Sequence, residues 1–69
     1  MTMKDFVPYF DFETKVKIMT SYGKSFVGVI TGLDNDFDTE SGQDEVELDM
    51  GKYYLGIEIP DIISVETVN

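Results

Sequence analysis

Sixty-nine residues make one domain, near the lower size at which a hydrophobic core sustains itself. The chain has no cysteine and no histidine, which excludes disulfides, thiolate or imidazole metal sites and a Ser-His dyad. Fourteen carboxylates against five lysines give a net charge of −9, which disfavours nucleic acid and anionic membranes as partners.

Residues 1–13 (MTMKDFVPYFDFE) are apolar enough to pack but show no sustained helical period. Pro8 works against a helix running through it. Phe6, Val7, Tyr9, Phe10 and Phe12 are therefore predicted to cap one end of the fold, through a short helical turn, with an exposed aromatic docking patch as the alternative.

From Thr14 the pattern changes to period two. Val16 and Ile18 alternate with Lys15 and Lys17, the signature of a half-buried strand. Ser21-Tyr22-Gly23-Lys24 supplies a turn in which Gly23 can take a positive φ. A longer strand follows over residues 25–34, interrupted by Gly28 and Gly32. Glycine inside a strand marks a bend, a bulge or a close backbone approach, and a strand bent at Gly28 can serve two sheets of a small barrel.

Residues 34–44 (DNDFDTESGQD) are polar and turn-rich and read as a loop. In the next strand Val46, Leu48 and Met50 should face inward, with Glu45, Glu47 and Asp49 outward. Gly51-Lys52 turns the chain into a fourth strand, with Tyr53, Leu55, Ile57 and Ile59 on one face and Tyr54, Gly56 and Glu58 on the other. Pro60-Asp61 breaks it, and residues 62–68 form the last strand. The expectation is an all-β fold: a five-stranded, strongly bent antiparallel barrel over residues 14–68, capped by residues 1–13, in a single domain 1–69.

The stretch Gly28-Val-Ile-Thr-Gly-Leu-Asp-Asn-Asp-Phe-Asp38 resembles the first signature of the Sm/LSm family: two glycines around alternating aliphatics, then Asp-x-x-apolar-Asn. Gly28, Ile30, Gly32, Leu33, Asp34 and Phe37 fall in register with it, and Gly23 falls at the turn glycine before it. The resemblance covers residues 15–68. It implies a small Sm-like (SH3-like) barrel, assembly through pairing of the fourth and fifth strands, and RNA-binding candidates at Asp34, Phe37 and Asp38. Two departures fall where the family contacts RNA. Asp38 stands at the base-reading Asn, and a carboxylate is acceptor-only and negatively charged. Ile59-Pro60-Asp61-Ile62 stands at the second signature, without its Arg-Gly.

Asp34, Asp36, Asp38 and Glu45 occupy positions 1, 3, 5 and 12 of an EF-hand-like spacing, which suits a hard cation such as Ca²⁺. Thr39 replaces the glycine of that loop, and the flanks read as strands, so at most a weak carboxylate site is expected there. No phosphate loop or catalytic constellation appears, and the chain is read as non-enzymatic and without a cofactor. The primary functional expectation is an interaction module, binding a protein partner or itself through barrel edges and an acidic surface. A divergent single-stranded RNA binder is the alternative, and an acidic mimic of nucleic acid the third. No apolar run approaches the ~20 residues of a membrane span, no signal-peptide core is visible, and a cytoplasmic location is the default.

Overall fold

The computed structural model describes residues 1–37 and 39–68. Five strands form one antiparallel sheet: β1 (Lys15–Thr20), β2 (Ser25–Asp34), β3 (Glu45–Asp49), β4 (Tyr54–Glu58) and β5 (Ile62–Thr67). Their spatial order is β4-β3-β2-β1-β5. The alternation expected of the first and third strands is the one observed in β1 and β3. Val16, Ile18, Ile30, Val46, Leu48, Ile57, Ile59 and Ile62 are buried together, with Phe6, as a single core.

β2 is the longest strand because it serves two neighbours. Its first half pairs with β1, from Met19↔Ser25 to Lys15↔Val29, and its second half pairs with β3, from Val29↔Asp49 to Asp34↔Glu45. The handover occurs at Val29, which pairs with both Lys15 and Asp49, next to Gly28. A Cβ on Gly28 would sit 2.3 Å from the Asp49 carbonyl oxygen and 3.0 Å from Leu48 Cγ, so only glycine lets β3 cross so close. A bulge follows between Ile30 and Gly32, where Thr31 is the extra residue and donates its hydroxyl to Glu47 Oε1 at 3.0 Å.

The β1–β2 turn closes on Gly23, at φ 83°, and on the buried Thr20. Thr20 Oγ1 donates to the Lys24 carbonyl at 2.8 Å and accepts the Lys24 N–H at 3.2 Å, leaving its hydroxyl satisfied.

The sheet is open. Among the described residues, β4 pairs only with β3 and β5 only with β1, and the two do not pair with each other. Pro60 has no backbone N–H to extend β4, and the 3-10 turn Ile59–Asp61 sends the chain across to the far side of β1.

Residues 1–13 fold as two 3-10 turns, Met3–Asp5 and Val7–Tyr9, with Pro8 inside the second. Phe6 is fully buried, and Met3, Tyr9 and Phe10 pack against the core beside it. Val7 and Phe12, expected in the cap, are instead exposed. Tyr53 also departs from expectation: the fourth strand begins at Tyr54, and Tyr53 sits exposed in the preceding turn. Its carbonyl accepts the Met50 N–H at 3.0 Å, so the turn geometry overrides the period of the strand. No helix among the described residues is long and apolar enough to cross a membrane.

Candidate functional site

Pairing register decides which outward side chains meet. Paired residues in an antiparallel sheet share a face, so Asp34↔Glu45 and Glu45↔Glu58 place three carboxylates side by side across β2, β3 and β4. Glu47 and Asp49 continue the acidic strip along β3. The Glu45–Glu58 pair is the closest kind. The Ile59 N–H donates to the Asp44 carbonyl at 2.8 Å, and the Met50 N–H to the Tyr53 carbonyl. Hydrogen-bonded pairs alternate along a ladder, so Glu45 and Glu58 form a non-hydrogen-bonded pair, with Cα atoms near 4.5 Å. Like charges directly opposite each other destabilise a sheet.

The other half of the outer face differs in charge. Lys17 pairs with Val27 and Glu66, and Lys15 with Val29, so β1 carries the only two cations of any strand. Lys4, Lys24 and Lys52 are exposed outside the strands. The outer surface therefore runs from a mixed β1 end to an acidic β3–β4 end.

The loop residues are dispersed. Phe37 is 92% exposed, and its N–H donates to Asn35 Oδ1 at 3.0 Å. The Asp36 N–H donates to Asp44 Oδ1 at 2.9 Å, and Glu45 Oε2 accepts the Ser41 hydroxyl at 2.7 Å. Asp34 ends β2 opposite Glu45. Asp38, common to the RNA-binding and cation candidates, lies outside the described residues. Among those that are described, no three acidic side chains come together in an arrangement that could hold a metal ion. Of the RNA-binding candidates, Phe37 presents an exposed ring and Asp34 joins the carboxylate row. The fold-defining glycines Gly23, Gly28 and Gly32 all sit at a turn, a crossing or a bulge.

Two shallow hollows of about 220 and 230 Å³ mark the surface, one between Met1, Asp36, Asp44 and Pro60, the other beside Lys15, Val29 and Asp49. Both are smaller than the ~300 Å³ at which small-molecule sites begin. What the surface offers instead is backbone. Among the described residues, β4 and β5 each leave one side unpaired, and an unpaired edge is a template for another strand. The row Asp34–Glu45–Glu58 was hidden in the sequence because it depends on pairings between distant residues. Comparison with family models, with curated proteins and with solved structures finds no match to this chain.

Proposed function

We propose that this chain is a non-enzymatic interaction module of the Sm-like small-barrel kind, which binds a protein partner through a sheet edge and its acidic outer face. The observation that carries the reading is the conjunction of two unpaired edges with a carboxylate row that ends at one of them. The Gly28-bent β2, shared between two pairings, supports the barrel-like description. A net charge of −9 favours a basic partner and steers it by long-range attraction.

A single-stranded RNA binder is the second reading, and the exposed Phe37 ring favours it, since base stacking on an aromatic contributes about 1–3 kcal/mol. Asp36, Glu40 and Asp44 in the same loop oppose it by repelling phosphate.

Two measurements separate the readings. Fluorescence anisotropy with U-rich and A-rich RNA, at low and physiological salt, should show no binding. Zero-length carboxyl-to-amine cross-linking in cell extract should join residues of the β3–β4 face to lysines of another protein. Micromolar RNA binding that disappears in Phe37→Ala would overturn the proposal in favour of the second reading.

A further inference from the structure

The two edges are not equivalent in what flanks them. Tyr53 and Ile59 bond to Met50 and Asp44, the residues at either end of β3, and alternate residues of a strand bond to the same side. Leu55 and Ile57 therefore also bond to β3, while Tyr54, Gly56 and Glu58 turn their N–H and C=O groups outward. Among the described residues, none pairs with that side of β4. The side chains of the same three residues stand on the outer face, at the end of the acidic strip.

We infer that the β4 edge receives an extended segment of a partner protein in which lysine or arginine alternates with an aliphatic residue, added antiparallel to Tyr54–Glu58. The inference rests on the interaction-module reading and adds the edge, the register and the partner's chemistry. A residue opposite Glu58 becomes the fourth member of the row Asp34–Glu45–Glu58, where a cation stands beside Glu58 at the end of the acidic row. A residue opposite Gly56 lies over a position with no side chain. The Glu45 carboxylate already reaches there, since its Oε1 would stand 2.7 Å from a Cβ on Gly56. A second cation fits that place. The residue opposite Tyr54 meets a phenol ring that is 64% exposed, open to an arginine or an aliphatic side chain. The intervening residues fall opposite Leu55 and Ile57, on the core side, and should be apolar.

A second copy of the chain does not supply this pattern. Its one alternating basic–apolar stretch, Lys15-Val16-Lys17-Ile18, lies in β1, paired on both sides by β2 and β5. The other edge strand, β5, offers Glu66 and no cation.

The test uses the full chain and three labelled ten-residue peptides: lysine alternating with valine, the same composition in two blocks, and glutamate alternating with valine. The alternating lysine peptide should bind, with new amide-exchange protection at Tyr54, Gly56 and Glu58, and the other two should not. Gly56→Pro removes an outward N–H and no bond to β3, so the fold should persist while binding falls at least about tenfold. Glu58→Lys, independent of any backbone change, should weaken binding about tenfold, because attraction becomes repulsion at one cross-strand position. Equal binding of the blocked peptide, or protection confined to other strands, would overturn the β4 assignment and leave the interaction-module reading in place. Failure of all three peptides to bind overturns the inference. The module reading then falls with it only if the cross-linking experiment is also negative.

Discussion

Gly28 carries more of the architecture than any larger residue near it. The missing Cβ admits the Asp49 carbonyl at a distance no side chain tolerates, and the obstacle is backbone. Gly28→Ala must push β3 away from β2 beside the point where β2 changes partners, and overpacking of this kind costs about 1–3 kcal/mol. Gly32→Ala provides the internal control. Its nearest neighbour is Glu47 Cβ at 3.1 Å, beside a bulge that can adjust by a few tenths of an ångström. Denaturant unfolding should therefore place Gly28→Ala at least about 1 kcal/mol below Gly32→Ala. Equal losses would mean that the two glycines are kept only for flexibility. The sequence identified both as interruptions of a strand. It could not rank them, because the atom that excludes alanine at position 28 belongs to a residue far along the chain.

Among the elements, the strands were legible because each alternates on its own. Lys15-Val-Lys-Ile and Glu45-Val-Glu-Leu declare their buried face without reference to neighbours. Tyr53 misled the same reasoning, since a turn residue next to a strand falls into its period by chance. The carboxylate row escaped because pairing partners are not local information, whereas edges were expected of a small barrel from its strand count alone. The joint between the N-terminal cap and β1 is another feature built by side chains. Phe12 has φ 62°, an unusual conformation for a non-glycine residue. It is held by Asp11, whose carboxylate accepts the N–H groups of Glu13 at 2.9 Å and Thr14 at 2.8 Å, and the Thr14 hydroxyl. The Thr14 hydroxyl, followed by the two backbone donors, lowers the Asp11 pKa to about 2. The folded-state value is depressed, so the joint's contribution is fully present above the ordinary aspartate value near 4. It is lost as pH falls toward about 2. NMR titration should give an Asp11 midpoint near 2, and the stability difference between the native chain and Asp11→Ala should shrink over that window. A midpoint near 4 would show that the three donors do not hold the carboxylate.

For the molecule as a whole, size and charge act together. The domain measures 32 × 24 × 24 Å along its principal axes, so carboxylates on opposite sides lie well over a Debye length apart at physiological salt. At 0.01 M ionic strength the Debye length is about 30 Å and every charge senses the others, whereas at 0.15 M it is about 8 Å and only neighbours do. Nine excess negative charges should therefore make the melting temperature rise with added salt, with most of the rise complete by about 0.15 M. Neighbours within the row Asp34–Glu45–Glu58 lie inside the Debye length and remain only partly screened at that point. Two substitutions divide the contributions. Glu58→Lys and Glu13→Lys change net charge equally, from −9 to −7, but only the first lies in the row, and Glu13 is exposed in the N-terminal segment. At low salt both should raise the melting temperature through the global term. At 0.15 M the Glu13 variant should approach the native value. Glu58→Lys should keep an advantage of up to about 1 kcal/mol, roughly 4–8 °C for a domain of this size. Differential scanning calorimetry at the two salt concentrations makes the comparison directly. If the variants coincide at both, the cross-strand row imposes no local cost, and the cation offered by a docking strand would find no repulsion there to relieve.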